Sequence, residues 1–284
     1  MNGRSMSFSL SLNHFVKHFS FPTLAQIILQ PHKFNNRKKL FCARSISDSS
    51  YLKTLDLNQQ RQIHLYVDTL LHWNQRMNLT AVTEESEVME RHVEDSLAII
   101  PPIHNSYLSH CGNSFDNLSL VDVGSGAGLP GLILAIACPS WKVTLLESMN
   151  KRCMFLEHAV NRIGLPNVQV LRGRAESLGQ QLGFREVFDV AVARAVAEMR
   201  VLAEYCLPLV RVGGLFVAAK GHDPQDEVRN AERSVQLLGA SILQIYMVES
   251  HGPYGQRTAI VCLKNRPTPK KYPRDPGTPA KTPL

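Results

Sequence analysis

Apolar residues recur at helical spacing between residues 58 and 77, where they would line one face of an amphipathic helix. The residues on this face are Ile63, Tyr66, Val67, Leu70, Leu71 and Met77. A break follows at residues 78–80. The pattern therefore predicts one long helix ahead of the rest of the fold.

A second helix is predicted to follow, with Thr83 as its N-cap and two glutamates in its first turn. It would stop at Pro101 and Pro102, because proline lacks the N–H that a helix interior needs. Residues 104–117 are polar and turn-like, which predicts a connection. We assign residues 48–110 to an N-terminal helical extension.

From Leu118 onward, apolar runs typical of strands alternate with stretches of helical spacing. The predicted strands are 118–123, 142–146, 168–171, 188–193, 215–220, 241–248 and 258–263. The predicted helices are 130–137, 150–163, 197–210 and 224–238. Five βα units followed by two adjacent strands predict an α/β fold, with a seven-stranded, mostly parallel sheet covered by helices on both faces. We place this domain at residues 111–264.

Residues 265–284 form a basic tail with six prolines, five basic residues and one aspartate. Proline at this density excludes a helix or a central strand. The tail is therefore predicted to be extended, flexible or draped over a partner.

Charge is distributed unevenly along the chain. Residues 1–47 contain seven Lys or Arg, seven Ser and no acidic residue, which leaves 24 basic and 24 acidic residues in the remainder. Because the body of the chain is neutral, the net charge of +7 is no evidence for RNA binding. A Ser-rich, acid-free leader is typical of an organellar transit peptide, with chloroplast favoured over mitochondrion; a disordered basic arm is the alternative.

The sequence does not indicate a membrane protein or a metal-binding protein. No apolar run reaches the roughly 18 residues of a membrane span, so no membrane partner is expected. The six cysteines are scattered without a CxxC pair. Neither a disulfide framework nor a metal site is indicated.

The strongest motif is the glycine-rich turn Val-Asp-Val-Gly-Ser-Gly-Ala-Gly at residues 121–128, between a strand and a helix. Gly124, Gly126 and Gly128 permit a tight turn and let a ligand approach the backbone closely. Their spacing differs from the G-x-G-x-x-G of pyrophosphate-binding turns. It favours a cofactor without phosphate, and S-adenosylmethionine can lay its amino-acid part along such a loop.

Glu147 ends the next predicted strand, nineteen residues after Gly128. A carboxylate there can accept hydrogen bonds from both ribose hydroxyls of a nucleoside cofactor. The alternative is that Glu147 only caps the helix that begins near Asn150.

Two later strand ends complete the predicted site, because ligands of open α/β sheets bind at the carboxyl ends of strands. Ala175 and Glu176 follow the third strand and are expected to flank the adenine. Arg194 closes the fourth strand among apolar residues. It is expected to contact the cofactor or the target base, unless it forms a structural ion pair.

Further motifs, in a fixed order over residues 57–284, make a family resemblance specific. They are Trp73-Asn74-x-x-Met77-Asn78-Leu79-Thr80, Arg91-His92-x-x-Asp95-Ser96-Leu97, the glycine turn, Arg174-Ala175-Glu176, Ala193-Arg194-Ala195-Val196-Ala197, Lys220-Gly221 and Lys270-Lys271-Tyr272-Pro273-Arg274. The chain resembles the bacterial small-subunit ribosomal RNA guanine-N7 methyltransferases, the glucose-inhibited division protein B family.

The resemblance implies an S-adenosylmethionine-dependent class I methyltransferase with a Rossmann-like core. Its expected partner is small-subunit ribosomal RNA or a ribosomal particle, of an organelle if the leader is a transit peptide, and nothing demands a dimer. The implied cofactor contacts are Gly124, Leu129, Ala175, Glu176 and Arg194. The implied catalytic or RNA-side residues are Asn78, His92, Arg194 and Lys220, with Lys270, Lys271 and Arg274 as phosphate contacts. His92 as a hydrogen-bonded helix residue, and the lysines as a solubilising tail, are the alternatives.

Guanine N7 carries an exposed lone pair at neutral pH, so no general base is required. Catalysis is then expected from positioning, with a target base that is unstacked and clamped. The rival interpretations are a methyltransferase of another substrate on the same fold, and a non-catalytic ribosomal-RNA-binding assembly factor.

Overall fold

The computed structural model describes residues 51–112, 114–248, 250 and 256–284. The predicted transit peptide at residues 1–47 lies outside the described residues. From Asp48 to Leu284 the chain forms one compact unit by its internal contacts. The helical extension and the tail are therefore described together with the sheet.

The N-terminal extension contains four helices. They are α1 (Leu57–Asn74), α2 (Glu85–Val88), α3 (Asp95–Leu97) and α4 (Ile100–His110), with a 3₁₀ turn at Tyr51–Thr54 and a π-helical turn at Met89–Glu94. A capping box starts α1, because Asp56 accepts from the N–H of Gln59 and the Gln59 side chain accepts from the N–H of Asp56. Helix α1 ends at Asn74, before Met77, which the apolar pattern had placed in the same helix. The chain leaves the helix here because the Asn74 carboxamide oxygen accepts from the N–H groups of Leu79 and Thr80.

The prediction of the second helix was wrong at both ends. Glu84, not Thr83, is the N-cap of α2. Pro101 and Pro102 do not stop a helix; they lie in the first turn of α4, where a missing N–H costs no hydrogen bond. Residues 104–110 are consequently helical and not part of a connection.

The sheet has the seven strands that the alternating pattern predicts. The strands are β1 (Ser119–Val123), β2 (Lys142–Glu147), β3 (Val168–Arg172), β4 (Phe188–Arg194), β5 (Val210–Lys220), β6 (Ala240–Val248) and β7 (Arg257–Lys264). Their order is β3-β2-β1-β4-β5-β7-β6, and only β7 is antiparallel to its neighbours on both sides. This is the predicted class I methyltransferase plan, so the fold class is confirmed.

Helices connect the strands and cover the sheet. They are α5 (Gly131–Ala137), α6 (Asn150–Ile163), α7 (Ala175–Leu178), α8 (Met199–Cys206) and α9 (Gln225–Leu237). The short α7 was not predicted, and α8 is shorter than predicted because β5 begins at Val210 instead of Leu215. Gly213 and Gly214 lie where the pairing of β4 with β5 changes register, and Gly213 has a φ of 80°.

Two apolar cores lie on the two faces of the sheet. One joins α1, α4, α5 and α6 to the sheet, and its largest side chains include Trp141 and Phe155. The other joins α7, α8 and α9 and includes Tyr272 of the tail. Burial on both faces explains why the central strands are almost entirely apolar.

The tail lies against its own domain. Tyr272 is buried, the Arg185 guanidinium donates to the Tyr272 carbonyl, and the Ser234 hydroxyl donates to the carbonyl of Leu284. A short helix, α10 (Thr278–Lys281), forms with Pro279 in its first turn. The prediction that the tail contains no helix was therefore wrong at this point.

No helix among the described residues is long and apolar enough to cross a membrane.

Candidate functional site

The glycine turn combines tight packing with one open position. Gly124, Gly126 and Gly128 all have left-handed φ values, of 74°, 58° and 84°. A Cβ on Gly124 would lie 2.8 Å from the Val196 side chain, and one on Gly128 would lie 2.4 Å from Leu132. A Cβ on Gly126 would meet only the Gly124 carbonyl oxygen, at 3.8 Å. Gly126 is therefore the glycine whose backbone faces open space.

A buried carboxylate supports the turn from below. Oδ2 of Asp122 accepts from the Ser125 hydroxyl at 2.8 Å and from the N–H of Gly131 at 3.0 Å. Oδ1 of Asp122 has no hydrogen-bond partner among the described residues. Burial raises the pKa of Asp122 to about 6. Asp122 belongs to the glycine-turn motif, but the spacing of that motif predicted no role for it.

The helical extension also holds the turn. The hydroxyl of Tyr66, a fully buried residue of α1, donates to the carbonyl of Ala127 at 2.8 Å. Burial raises the pKa of Tyr66 above its ordinary value, so the hydroxyl stays protonated as a donor. Tyr66 lies on the apolar face of the predicted helix, a pattern that predicts burial but does not predict this hydrogen bond.

Glu147 connects the glycine turn to α6. Its Oε2 accepts from the N–H of Gly126 at 3.0 Å, and its Oε1 accepts from the N–H of Met149 at 2.8 Å. Arg152 lies 3.8 Å from Oε2. The Ser148 hydroxyl also donates to Oε1, at 3.4 Å, whereas Oε2 accepts one hydrogen bond and has two lone pairs, so Oε2 retains the capacity to accept from a ligand as well.

A first cavity of about 350 Å³, here called the loop cavity, opens beside the turn. It is lined by Leu79, Thr80, His92, Gly124, Ser125, Gly126, Ala127, Leu129, Glu147, Ser148, Arg152, Arg194, Ala195 and Val196. Five of the predicted cofactor residues are thus brought together. Gly128, Ala175 and Glu176 are not among the lining residues, and Oε1 of Glu176 accepts from the N–H of Gly277 at 3.0 Å.

A second cavity of about 240 Å³, here called the basic cavity, adjoins the first at the carboxyl ends of β4 and β5. Its lining is Arg91, His92, Asp95, Ile99, Arg194, Ala195, Ala219, Lys220, Gly221, Val248, Arg257 and Thr258. His92, Arg194 and Ala195 line both cavities. The two spaces therefore meet at the end of β4.

Arg194 lies at this junction without a partner among the described residues. No hydrogen bond or ion pair joins its guanidinium to any described residue, so the alternative of a structural ion pair finds no support in the part of the chain that the structure describes. Desolvation lowers its pKa, and the nearby carboxyl groups of Asp95 and Asp122 oppose that shift. Ala195 turns the chain directly after it with a φ of 55°, a conformation that costs free energy in a residue other than glycine.

The other predicted catalytic residues occupy different surroundings. His92 lines both cavities, and Lys220 lines the basic cavity but donates to the Ala197 carbonyl at 2.7 Å and pairs with Glu227. Asn78 is exposed and lines neither cavity.

The three predicted phosphate contacts of the tail differ from one another. Lys270 and Lys271 are exposed, and Nζ of Lys271 lies 5.2 Å from the centre of the Tyr272 ring. Arg274 instead pairs with the buried Glu204, at 2.6 Å between Nη2 and Oε2. None of the three lines either cavity, and the guanidinium of Arg274 is already engaged within the protein.

One further pair in the basic cavity was missed. Nε of Arg257 donates to Oδ2 of Asp95 at 3.0 Å, across 162 positions of sequence. Asp95 belongs to a sequence motif that predicted no role for it, and Arg257 belongs to none of the motifs. Among the described residues, no three His, Cys, Asp or Glu side chains are grouped so as to hold a metal ion.

Residues 59–257 match the model of the family described as rRNA small subunit methyltransferase G. The chain belongs to this family. A member from Alkaliphilus metalliredigens is 44% identical over 81% of this chain and 92% of its own length. The members from Moorella thermoacetica and Bacillus cereus are 43% and 40% identical, each over 81% of this chain and over 92% and 93% of their own lengths. All three are named ribosomal RNA small subunit methyltransferase G.

Membership of the rRNA small subunit methyltransferase G family makes this protein a methyltransferase. Among solved structures, MtNAS in complex with MTA and tNA is similar with a TM-score of 0.47 and 14% identity, over 74% of this chain and 75% of that one. This likeness is too distant to bear on function.

Proposed function

We propose that this protein transfers a methyl group from S-adenosylmethionine to N7 of a guanine in small-subunit ribosomal RNA. The observation that carries the proposal is the meeting of two cavities at His92 and Arg194. One cavity offers a glycine turn and a carboxylate, and the other has four Lys or Arg side chains among its twelve lining residues. A methyl donor and a nucleotide placed side by side require this arrangement.

The residues of the loop cavity fit the cofactor. The backbone of Gly126 is open to a ligand, and Glu147 can accept from ribose hydroxyls. The unpartnered Arg194 offers a cation to the carboxylate of the amino-acid part. Ala175 and Glu176, which follow β3 at the same edge of the sheet, remain predicted neighbours of the adenine.

When bound, S-adenosylmethionine supplies an electrophilic methyl group, which the N7 lone pair of guanine attacks while S-adenosylhomocysteine leaves. The protein does not need to remove a proton before this step, because N7 carries none. His92 suits such a mechanism, since desolvation and the charge of Arg194 lower its pKa to about 4 and keep it neutral near pH 7. The protein then contributes to catalysis by holding the methyl donor and the guanine in line and by excluding water.

Lys270 and Lys271 are proposed to contact RNA phosphates outside the cavities. Both are exposed in a proline-rich segment that is fixed to the domain by Arg185. A preordered basic segment loses little conformational entropy when it binds.

The experiment is methyl transfer from labelled S-adenosylmethionine to small-subunit particles by the purified full chain, followed by mapping of the modified base. Gly126→Val serves as the negative control, because a branched side chain is strained at a φ of 58° and fills the open side of the turn. A single N7-methylguanine is expected. Cofactor binding without label in ribosomal RNA would overturn the substrate and favour either another substrate or an assembly factor.

We further propose that the protein acts in an organelle, with the chloroplast favoured. The support is the acid-free, Ser-rich composition of residues 1–47. A fusion of residues 1–47 to a fluorescent protein, expressed in leaf cells, is expected to enter chloroplasts. Import into mitochondria would change the compartment, and a diffuse signal would contradict organellar targeting.

A further inference from the structure

We propose that the basic cavity binds the target base and that Asp95 selects guanine, by accepting hydrogen bonds from the N1–H and the 2-amino group. The inference rests on the proposed function and names the residue that would discriminate between bases. In this role Asp95 recognises the base and transfers no proton.

Asp95 carries an unused acceptor in the wall of the cavity. Its side chain is only 7% exposed, and Arg257 donates to Oδ2. Oδ1 has no hydrogen-bond partner among the described residues. An unpaired buried carboxylate oxygen is costly, and a bound ligand with N–H groups would satisfy it.

The charges around Asp95 suit a nucleotide. Asp95 is the one carboxylate among the described residues that line the cavity. Of the cations in the lining, Arg91 pairs with Glu87 and Lys220 pairs with Glu227. Arg194 has no partner among the described residues, and Arg257 pairs with Asp95 itself. A nucleotide can thus present its base to the carboxylate and its phosphate to the guanidinium groups.

The chemistry of the bases makes a carboxylate selective. Guanine has two adjacent donors, N1–H and the 2-amino group, on its Watson–Crick edge. Adenine and cytosine place an acceptor next to their amino group, and uracil has one N–H between two carbonyls. A carboxylate therefore accepts two hydrogen bonds from guanine and meets a lone pair or a carbonyl on every other base.

The same contact leaves the reacting atom free. N7 lies on the opposite side of the purine from N1 and the 2-amino group, so a base held by Asp95 keeps N7 available to the loop cavity. Because both oxygens of Asp95 are covered in this structure, the Arg257 side chain must shift as the base enters. That side chain is 30% exposed, and a shift towards the nucleotide phosphate keeps it paired.

The first test compares guanosine 5′-monophosphate with inosine 5′-monophosphate, which lacks only the 2-amino group. Both are titrated into the full wild-type chain saturated with S-adenosylhomocysteine, and heat of binding is measured. Guanosine monophosphate is expected to bind about tenfold or more tightly, the effect of one hydrogen bond to a charged group. Equal affinities would overturn the proposal without the use of any variant.

The second test repeats the titration with Asp95→Asn. The carboxamide turns one acceptor into a donor, so the preference for guanosine monophosphate should fall to about twofold or less while S-adenosylhomocysteine binds as before. Asp226→Asn is the matched control, because Asp226 is an exposed residue of α9 paired with Arg229. A preference that persists in Asp95→Asn would assign the selection to another residue.

Failure of the inference and failure of the proposed function give different results. If wild type methylates small-subunit particles but binds the two nucleotides equally, only the role of Asp95 is lost. If it prefers guanosine monophosphate but methylates no ribosomal RNA, the base pocket stands and the substrate assignment falls. If both hold, Asp95→Asn should lower kcat/KM on particles by about tenfold or more.

Discussion

The Thr80 hydroxyl lies 2.7 Å from Nε2 of His92, a residue that lines both cavities. On the other side of the ring, Nδ1 lies 3.0 Å from the carbonyl of Arg91, which can only accept. Nδ1 therefore carries the proton in the neutral ring, and Nε2 accepts from Thr80. Since Thr80 Oγ1 also accepts from the N–H of Val82, this contact fixes the loop after α1 against the site.

The first prediction concerns the pH dependence of catalysis. Because the pKa of His92 lies at about 4 and N7 needs no general base, kcat should stay level between about pH 6 and 8. The rate of methyl transfer to saturating particles over this range is the measurement. A limb near pH 6.5 that disappears in His92→Gln would show instead that His92 acts as an acid or a base.

The second prediction is a change of stability with pH at Asp122. Its folded-state pKa of about 6 lies above the ordinary 3.8, so the folded protein holds the proton more tightly, and this contribution to stability is lost as pH rises from 3.8 through 6. Asp122→Asn cannot lose that proton. Relative to wild type, its free energy of unfolding should therefore rise by about 2 kcal/mol between pH 4 and 7.

Urea denaturation of both proteins at pH 4, 5, 6 and 7 checks the prediction for Asp122. The comparison with wild type removes the contribution of His92, whose lowered pKa acts in the opposite direction. The exposed Asp226→Asn provides the control. A difference between Asp122→Asn and wild type that does not change with pH would contradict the raised pKa.

The third prediction concerns cofactor affinity. Glu147→Gln replaces one acceptor oxygen by a donor and should weaken S-adenosylhomocysteine binding about tenfold or more, measured by titration calorimetry. Glu157→Gln, on an exposed position of α6, should bind as wild type does. Unchanged affinity in Glu147→Gln would restrict Glu147 to its bonds with Gly126 and Met149.

Local patterns predicted the elements that repeat regularly. Helix α6 was predicted with its observed bounds, and the strands from β1 to β7 were found in order, because apolar periodicity and glycine turns act over a few residues. Proline was misinterpreted at residues 101–102, since the sequence does not show whether a proline ends one helix or begins the next.

Contacts between distant segments could not be predicted in this way. The bond from Tyr66 to Ala127 spans 61 positions, and the pair of Arg257 with Asp95 spans 162. Neither follows from periodicity, because each requires the register of the helical extension on the sheet. The sequence did predict that the glycine turn, Glu147 and Arg194 lie near one another, because the carboxyl ends of parallel strands share one edge of the sheet, and the three line one cavity.

The last prediction separates the basic residues of the tail. Arg274→Ala removes the guanidinium that pairs with the Glu204 carboxylate, of which only 1% is exposed, and should lower the free energy of unfolding by about 3 kcal/mol. Lys270→Ala with Lys271→Ala removes two exposed charges and should leave stability within about 0.5 kcal/mol of wild type, while it weakens binding to small-subunit particles at low salt.

Urea denaturation and particle binding at two salt concentrations are the measurements, with Lys281→Ala as the control on an exposed tail lysine. Loss of stability in the lysine variant, or none in Arg274→Ala, would contradict this division, in which Arg274 anchors the tail and the two lysines face the RNA.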